Sequence, residues 1–549
     1  MKKLFLFIIL IGMISGGFYF YLTNKPNDEV ISLSEDLYLI VEDQIIEFGY
    51  PVILENDLLY FSFEFIKEFI DEDIYYDEIE NTIIFTSENY VKKFIIDEKK
   101  GTLNSKEYLI DNPVIKVDNK VYIPLNLFNS DYDIKITHSE NTNAVILDFT
   151  NMEYLNGEVI LDNGNIRTDL DIKAPIIKSN LEIGSIIFVY GEYEKWLKVR
   201  SADGIPGFIE KKFIKLNHIK DIYKNELITK NESKLLRPYN INLTWDYTYA
   251  KVRNTDSINH IPGVNVISPT WFSIDNEAGN IIDKGNRNYV LKYIDLGYEL
   301  WPLVDNNFNP DVTHELLKSS TTREKIISEL LAIYLDYGFQ GINLDFENVY
   351  YKDKDLLTQF VRELYPVFKE NDLIVSMDVT TLSTSENWSL CFDRKRLHKS
   401  LDYVMLMAYD QHWASSPIAG SVAEYSWVED GLEGVLQEVP SEKLILAVPF
   451  YTRLWTIDET NISSKSISMS IANKFVADNQ IQTVWNEDIG QYYGEVTKGD
   501  KEYRLWIEDE KSLMYKISLV HKYKLAGIGS WRKGFETPNI WNSIDKSLN

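Results

Sequence analysis

The sequence predicts a multidomain protein whose C-terminal part is a (β/α)8 TIM barrel, preceded by a small α+β repeat module and a small all-β barrel. The chain has 549 residues, more than one compact core accommodates. Residues 30–150 contain an internal repeat, and residues 156–216 consist of short strand-like runs with glycine turns. From residue 238 onwards, strand-like runs alternate with helical ones, which is the pattern of parallel βα units.

The N-terminal segment, residues 1–29, is predicted to be a signal anchor. Lys2 and Lys3 precede an apolar run from Leu4 to Leu22, which is close to the length that spans a bilayer. With the lysines inside, the rest of the chain is expected in the cell envelope, outside the cytoplasmic membrane. No convincing small-residue cleavage site follows the run, so an uncleaved anchor is favoured and a cleaved signal peptide is the alternative.

The first module, residues 30–150, repeats one pattern of hairpin, short helix and hairpin. One copy runs from Pro51-Val52-Ile53 to Asn81-Thr82-Ile83-Ile84-Phe85, and the second from Pro113-Val114-Ile115 to Asn143-Ala144-Val145-Ile146-Leu147. This pattern resembles the N-terminal domain of copper amine oxidases, a module found in secreted bacterial wall proteins. The name implies no copper here, because His138 is the only histidine of the region.

The next region, residues 156–216, resembles a bacterial SH3-like domain. The matching residues are Ile166-Arg167-Thr168, Gly184, Val189-Tyr190-Gly191-Glu192, Trp196-Leu197-Lys198-Val199-Arg200 and Gly204-Ile205-Pro206-Gly207-Phe208-Ile209. Such modules contact cell-wall peptide or glycan in some proteins and are plain spacers in others, and the sequence leaves both open. The polar, lysine-rich stretch 217–237 is predicted to be a linker to the barrel at residues 238–549.

Eight strand-like runs predict the barrel, a fold in which active sites lie at the C-terminal ends of the strands. The predicted runs are Asn240 to Thr244, Val264 to Pro269, Tyr298 to Leu303, Gly341 to Glu347, Ile374 to Asp378, Tyr403 to Tyr409, Leu444 to Pro449 and Gly527 to Trp531. The separation of the last two runs leaves room for an insertion at residues 452–504.

The fourth predicted strand carries the most informative motif. Asn343, Asp345 and Glu347 alternate with apolar residues, so all three project from one face of the strand. A strand between two helical segments belongs to a sheet with both faces covered, where carboxylates are costly to bury without a purpose. These residues therefore predict a catalytic site. Partial burial and a second carboxylate should keep Glu347 protonated, as a general acid requires.

Polar and aromatic residues at other strand ends complete the predicted site. They are Met407, Tyr409 and Asp410 at the end of strand six, Tyr451 and Arg453 after strand seven, and Trp531 at strand eight. Each aromatic ring alone is equally compatible with ordinary barrel packing. Several rings together with a few convergent polar groups are what the face of a sugar requires.

The charge balance excludes some classes of function. The sequence has 56 basic and 84 acidic residues, a formal net charge of −28. This charge disfavours nucleic acid as a partner. Cys391 is the only cysteine, so an intramolecular disulfide framework is excluded.

Four motifs resemble glycoside hydrolase family 18. Residues 340–347 resemble the D-G-x-D-x-D-x-E signature of that family, with Gln340 and Asn343 in place of the first two acids. The other three are Met407-Ala408-Tyr409-Asp410, which resembles the M-x-Y-D of strand six, and Pro449-Phe450-Tyr451 and Gly529-Ser530-Trp531, which resemble features of strands seven and eight. The motifs follow one another in the order that the family has.

The resemblance implies retaining, substrate-assisted hydrolysis of β-1,4 bonds next to N-acetylglucosamine. It implies that Glu347 protonates the glycosidic oxygen and that the 2-acetamido oxygen of the substrate attacks the anomeric carbon. Asp345 would hold the acetamido N–H, and Tyr409 would donate to the acetamido carbonyl oxygen. The chemistry needs no metal and no cofactor. The implied substrate-binding residues are Asn343, Met407, Asp410, Tyr451, Arg453 and Trp531, the last as the floor beneath the sugar.

Asn343 is the main departure from the family signature. With Phe346 and Asn348-Val349 around the acid, it resembles the branch that contains the spore cortex-lytic N-acetylglucosaminidases. An amide cannot share a proton with Asp345 as a carboxyl group can. We therefore expect Asp345 to ionise more readily and the pH optimum to be shifted.

Three functions stay open on the sequence alone. The favoured one is a wall hydrolase that acts on peptidoglycan, with the spore cortex as one setting, and that is attached to the membrane by its N-terminal segment. The second is a chitinase or chito-oligosaccharide hydrolase, which the wall-facing modules disfavour. The third is a non-catalytic glycan-binding wall protein. Barrels of this family that lose catalysis typically lose the terminal acid, and Glu347 is present.

Overall fold

The computed structural model describes residues 2–34, 36–47, 49–152, 155–217, 240–249, 255 and 258–548. Contacts divide the chain into two compact units. The first lies within Met1–Ile74, Ile96–Lys99 and Asp111–Ser233, and the second within Tyr75–Ile95, Lys100–Ile110 and Lys234–Asn549. The predicted linker 217–237 lies outside the described residues except for Asn217.

The chain begins with a helix at Lys2–Asn24. Among the residues that the structure describes, no helix is both long enough and apolar enough to cross a membrane. The signal anchor at residues 1–29 stays a prediction.

Two four-stranded sheets and a short helix, Phe63–Phe69, form the first part of the first unit. In spatial order, one sheet consists of Ile134–Ser139, Ala144–Phe149, Tyr38–Val41 and Gln44–Ile46, and the other of Ile115–Val117, Lys120–Pro124, Leu58–Ser62 and Val52–Glu55. Tyr38–Val41 pairs in parallel with Ala144–Phe149. The two ends of the predicted module therefore meet in one sheet.

A seven-stranded antiparallel sheet follows in the same unit. Its strands, in spatial order, are Ile176–Leu181, Gly164–Arg167, Pro206–Glu210, Trp196–Ser201, Ile186–Glu192, Leu155–Val159 and Ile214–Leu216. Buried aliphatic side chains such as Ile166, Leu197 and Ile209 form its core. The region is all-β, and its SH3-like identity stays a prediction.

Eight parallel strands close into a barrel in the second unit, which confirms the predicted fold class. Numbered one to eight, they are Ile241–Asp246, Val266–Ile274, Leu303–Asp305, Gly341–Asp345, Ile374–Thr380, Tyr403–Met407, Leu444–Pro449 and Gly527–Trp531. Strand one pairs with both strand two and strand eight, which closes the ring. Two short strands, Ile281–Asp283 and Glu299–Leu300, also pair with strand two.

Helices connect the barrel strands and cover them from outside. They are Arg287–Asp295, Pro310–Lys318, Ser320–Tyr337, Lys354–Lys369, Arg394–Leu397, Tyr425–Val435, Glu510–Tyr523 and Ile540–Leu548. The helix Ser320–Tyr337 begins where the Ser319 side chain accepts a hydrogen bond from the Thr322 N–H. It ends at Gly338, whose φ of 76° lies in the left-handed region that favours glycine. This stop delivers the chain directly into strand four.

Strand four has the alternation that the sequence predicts. Ile342, Leu344 and Phe346 belong to the apolar core between the strands and the helices. Asn343 and Asp345 point to the other side, into the barrel interior. A second apolar cluster fills that interior and includes Trp245, whose indole N–H donates to Asn343.

An α+β insertion separates strands seven and eight. Its five antiparallel strands, in spatial order, are Ile462–Ser468, Tyr451–Ile457, Lys501–Ile507, Gln491–Lys498 and Val484–Asn486, and its helix is Met469–Asp478. The strand Tyr451–Ile457 starts directly after strand seven. Tyr451 and Arg453 therefore belong to the first strand of the insertion.

A further five-stranded sheet belongs to the second unit, although the sequence assigns its residues to the N-terminal module. Its strands are Tyr75–Asp77, Thr82–Thr86, Val91–Ile95, Lys100–Leu103 and Lys106–Leu109. Ile84 and Val91 join the core between the barrel strands and helices. The Asp77 carboxylate accepts a hydrogen bond from the Ser320 N–H at 2.7 Å. This sheet is thus packed on the barrel as part of its fold.

A buried ion network joins this sheet to two barrel helices. The Glu363 carboxylate accepts from Arg323 Nη2 at 2.7 Å and from Gln359 Nε2 at 3.0 Å. Lys93, from the sheet, lies 3.1 Å from the other Glu363 oxygen. The side chains of Arg323 and Glu363 are fully buried. Each charge in such a network depends on its partners, because water cannot replace them.

We expect Glu363→Gln to lower the free energy of unfolding by about 3 kcal/mol, because Arg323 then stays buried without its anion and Lys93 keeps only Glu324. Urea denaturation followed by tryptophan fluorescence measures this change. Glu370→Gln is the matched control, since Glu370 pairs with Lys106 of the same sheet at an exposed position. Exposed pairs contribute about 1 kcal/mol or less. Equal losses in the two variants would contradict the role of the buried network.

Candidate active site

The polar residues of strand four line the barrel interior toward its C-terminal end. Asn343 is fully buried and Asp345 is 7% exposed, and the strand ends at Asp345. Glu347 follows in the segment that leaves the strand and is partly exposed. The structure therefore brings the three residues to the end of the barrel at which active sites of this fold lie.

Asn343 is held by hydrogen bonds on both sides of its amide. Its Oδ1 accepts from Trp245 Nε1 at 2.8 Å, and its Nδ2 donates to Asp378 Oδ1 at 2.8 Å. Because an indole N–H is only a donor, it faces the amide oxygen. Asn343 thus bridges strands one and five inside the barrel. The groups that form these two hydrogen bonds with its amide, Trp245 and Asp378, belong to the protein itself.

Asp345 combines deep burial with an unpaired oxygen. Its Oδ1 has no hydrogen-bond partner among the residues that the structure describes. Burial raises the pKa of Asp345 well above its usual range. The nearby carboxylates of Glu347, Asp378 and Asp305 raise this pKa further. Burial is the main cause, so Asp345 keeps its proton more firmly than an ordinary aspartate although residue 343 is an amide. The expected effect of Asn343 in place of Asp on the ionisation of Asp345 and on the pH optimum stays a prediction.

Glu347 has the pKa that a proton donor needs. Burial raises the pKa of Glu347 to about 7, and the negative charges of Asp410 and Asp305 add to the shift. The direction is the one that the sequence predicts, with burial as the larger cause. The carboxyl group keeps its proton below that pH and loses it as the pH rises further. A reaction that uses this proton must slow down along the same range.

A residue that the sequence analysis did not single out holds the backbone of Glu347. The buried Asn306 side chain donates from Nδ2 to the Glu347 carbonyl oxygen at 2.8 Å and accepts at Oδ1 from the Glu347 N–H at 3.1 Å. Asn306 Nδ2 also donates to Thr313 Oγ1 at 2.9 Å. These bonds satisfy both backbone groups of Glu347. Asn306 therefore fixes the backbone conformation of Glu347 just beyond the end of strand four.

Two further acids of the site were also missed. Asp305 ends strand three beside Asp345, and its Oδ2 accepts from Ser273 Oγ at 3.0 Å. Burial raises the pKa of Asp305. Asp378 lies on strand five. Both acids occur at or just beyond the end of a predicted strand, so a search of every strand end for carboxylates would have found them.

Tyr409 follows strand six and lies among these acids. Burial raises the pKa of Tyr409 well above its usual range, and the charges of Asp378 and Asp345 contribute. No described residue forms a hydrogen bond with its hydroxyl group. The hydroxyl therefore stays protonated and has a donor to offer. Met407, at the end of strand six, is 8% exposed.

Asp410, Tyr451 and Arg453 form one connected group. Asp410 Oδ1 accepts from Tyr451 Oη and from Arg453 Nη2, each at 2.7 Å. Arg453 also donates from Nε to the His412 carbonyl oxygen at 2.9 Å. Arg453 and Tyr451 are buried, whereas Asp410 is exposed. The two buried residues hold Asp410, which is the member of the group that can face a ligand.

Trp531 lies at the end of strand eight and is partly exposed. Its ring centroid is 5.9 Å from that of Trp245 and 6.4 Å from that of Tyr247. Trp531 thus packs against the cluster inside the barrel through Trp245, the residue that donates to Asn343. Its role as the floor beneath a sugar stays a prediction. Within the described parts of the chain, no group of three or more His, Cys, Asp or Glu side chains could hold a metal ion.

We expect Asp305→Asn to move the alkaline limb of the pH–activity profile to lower pH. Loss of one negative neighbour lets Glu347 ionise more readily, so the proton is lost earlier as the pH rises. Asp295→Asn, at an exposed position of the helix Arg287–Asp295, is the control and should leave the limb in place. A limb that stays or moves to higher pH in Asp305→Asn would contradict this account of the Glu347 pKa.

We expect Asn306→Asp to lower kcat by about tenfold or more with little change in KM. An oxygen then faces the Glu347 carbonyl group, and an unfavourable buried contact of this kind costs about 1–3 kcal/mol. Asn371→Asp makes the same exchange on an amide that binds the Val367 carbonyl oxygen, and should leave kcat near that of the wild type. A change in KM alone, or equal effects of the two variants, would argue against Asn306 as a positioning residue.

Comparison with known families supports the resemblance seen in the sequence. Residues 312–535 match the model of glycosyl hydrolases family 18, and residues 37–147 match that of the copper amine oxidase N-terminal domain. The uncharacterized glycosylase YvbX of Bacillus subtilis is 22% identical over 333 residues, which is 58% of this chain and 94% of that protein. The cortical fragment-lytic enzyme of the same organism is 24% identical over 253 residues, which is 45% of this chain and 58% of that enzyme.

Solved structures share the barrel fold. The C-terminal domain of a putative chitinase from Desulfitobacterium hafniense is 22% identical with a TM-score of 0.51, and the match covers 57% of this chain and 100% of that one. The spore cortex-lytic enzyme SleL of Bacillus megaterium is 18% identical with the same TM-score of 0.51, and the match covers 57% of this chain and 76% of that one. The match of residues 312–535 to the family model, together with the motifs and the barrel, indicates a glycosidase whose barrel is similar to glycosyl hydrolases family 18, to cortical fragment-lytic enzymes and to class V chitinases.

Proposed function

We propose that the barrel hydrolyses β-1,4 bonds next to N-acetylglucosamine in peptidoglycan, with retention of configuration and with the acetamido group of the substrate as the nucleophile. The observation that carries this proposal is the buried, unpaired Asp345 Oδ1 next to Glu347, whose pKa is about 7. A buried acceptor without a donor costs about 1–3 kcal/mol. The N–H of a substrate acetamido group would remove that cost.

The first step uses the proton of Glu347. It passes to the glycosidic oxygen as the bond from that oxygen to C1 breaks. The acetamido carbonyl oxygen forms a bond to C1 from the opposite face, which gives an oxazolinium ion. Asp345 accepts from the acetamido N–H, a contact that favours the ionised form of this otherwise protonated carboxyl group. Tyr409 donates to the acetamido oxygen and aligns it with C1.

The second step restores the enzyme. Water attacks C1 from the face that the leaving group has vacated and gives a proton to the Glu347 carboxylate. The bond from C1 to the acetamido oxygen breaks, and the acetamido group is regenerated. Two inversions at C1 give net retention. Asp410 and Trp531 are the proposed contacts to sugar hydroxyl groups and to the sugar face, while Tyr451 and Arg453 act through Asp410.

Peptidoglycan is the favoured substrate class. One of the relatives in Bacillus subtilis is named a cortical fragment-lytic enzyme, and the copper amine oxidase N-terminal domain resembles modules of secreted wall proteins. The proposed location is the cell envelope, with membrane attachment through residues 1–29. Chitin is the alternative, because a putative chitinase shares the fold.

We expect Glu347→Gln to lower kcat on peptidoglycan glycan strands by about two to four orders of magnitude, the usual contribution of a general acid. The amide cannot give up a proton, but it has nearly the same shape, so the fold should be retained. Glu370→Gln, at an exposed position, should keep wild-type activity. A Glu347→Gln variant with turnover within a few fold of the wild type would contradict the assignment.

Mass spectrometry of the products separates the substrate classes. We expect fragments that end in reducing N-acetylglucosamine after incubation with peptidoglycan. Release from chito-oligosaccharides alone would support a chitinase and contradict the peptidoglycan proposal. Binding of either glycan without release of fragments would instead indicate a non-catalytic wall protein.

A further inference from the structure

A cation lies beside the predicted sugar floor, surrounded by aromatic rings. The Arg532 guanidinium carbon is 4.0 Å from the ring centroid of Phe535, 4.8 Å from that of Tyr247 and 5.4 Å from that of Tyr249. Arg532 Nη2 donates to Tyr249 Oη at 2.6 Å. Three rings and one hydrogen bond hold the guanidinium group in place without neutralising it.

The position of Arg532 relates it to the active site. It follows Trp531 directly in the chain, and the Tyr247 ring contacts both residues, since its centroid is 6.4 Å from that of Trp531. Tyr247 is 37% exposed and Tyr249 is 76% exposed. The cation and its aromatic surroundings therefore lie at the accessible end of the barrel, next to the residue proposed to carry the sugar.

Among the described residues, Arg532 has no carboxylate partner, whereas Lys533 and Arg453 each have one. Lys533 lies 2.9 Å from a carboxylate oxygen of Asp246, and Arg453 lies 2.7 Å from one of Asp410. Among the described residues, no carboxylate forms an ion pair with Arg532. The chain has a net charge of −28, yet this preorganised cation has no carboxylate partner among the described residues. Its position next to the proposed polysaccharide site indicates that the ligand carries an anionic group.

We propose that Arg532 binds a carboxylate group of the glycan and thereby selects peptidoglycan over neutral N-acetylglucosamine polymers. This inference rests on the proposed function. Guanidinium groups bind carboxylates through two parallel hydrogen bonds, and muramic acid is the sugar of peptidoglycan that bears a carboxyl group, on its lactyl ether. The carboxylates of the attached peptide offer the same chemistry. A chitin chain has no group of this kind.

The contact is partly exposed, so water and salt weaken it. Ion pairs of this kind contribute about 1 kcal/mol, and the bidentate geometry and the aromatic surroundings strengthen them. We therefore expect a selectivity of about tenfold, which corresponds to about 1.4 kcal/mol. The preference should decline with rising ionic strength, since the charges involved are accessible to salt.

The test pairs two variants with matched substrates. Arg532→Gln removes the charge, and Arg532→Lys keeps the charge but loses the bidentate geometry. The substrates are glycan strands with intact peptides, strands from which an amidase has removed the peptides, the same stripped strands with their lactyl carboxylates converted to neutral amides, and chito-oligosaccharides of equal length. The measured quantity is the ratio of kcat/KM on each anionic substrate to kcat/KM on the amidated strands.

We expect Arg532→Gln to lower this ratio by about tenfold, with Arg532→Lys between Arg532→Gln and the wild type. A loss on the stripped strands identifies the lactyl carboxylate as the partner, and a loss only on strands with peptides identifies the peptide carboxylates. An unchanged ratio in a folded Arg532→Gln variant would overturn the inference and leave the proposed function intact. A wild-type protein that cleaves none of the four substrates would instead refute the proposed function itself.

Discussion

Burial of several carboxyl groups inside one closed barrel is the constraint on which this site depends. A parallel barrel brings the C-terminal ends of its strands together, and here strands three, four and five each bring an acid to that end: Asp305, Asp345 and Asp378. In a medium of low polarity, neighbouring carboxylates cannot all be ionised. Protons are therefore retained, and Glu347, at the rim, holds the one that can be transferred.

The positions of the cations help the carboxyl groups inside the barrel to keep their protons. Among the described residues, no ion pair includes Asp345, Glu347 or Asp378. Arg453 and Lys533 pair with Asp410 and Asp246, which both lie outside the strand-four motif. A cation inside the barrel would stabilise the carboxylates in their ionised form and lower their pKa values. The inner acids are instead held by neutral donors such as Asn343 and Ser273, which orient them without supplying a full charge.

The sequence predicted the parts of the site that follow from local periodicity. The polar alternation in strand four, the stop at Gly338 and the order of the strands all depend on neighbours along the chain, and the structure has them. Asn306 could not be found in this way, because its importance lies in two hydrogen bonds to the backbone of a residue on another strand. The burial that raises the pKa of Asp345 was likewise not visible in the sequence, since it depends on residues of other strands that are neighbours only in space.

Packing between segments that are far apart along the chain could likewise not be predicted from the sequence. Residues 75–95 and 100–110 carry the pattern of the N-terminal module, yet their contacts are with the barrel. One of these contacts is the buried network in which Lys93 meets Glu363, far away along the chain. Neither residue has a distinctive local pattern. Long-range charge burial of this kind has no signature in a single sequence.

The central claim is that the substrate supplies the nucleophile and that Asp345 holds it. The most direct measurement compares kcat at saturation for two oligosaccharides that differ only in the N-acetyl group of the sugar at the cleavage site. Removal of the acetyl group should lower kcat by about two orders of magnitude or more, because an intramolecular nucleophile is lost. Equal kcat values for the two substrates would contradict it, since the protein itself would then have to supply the nucleophile.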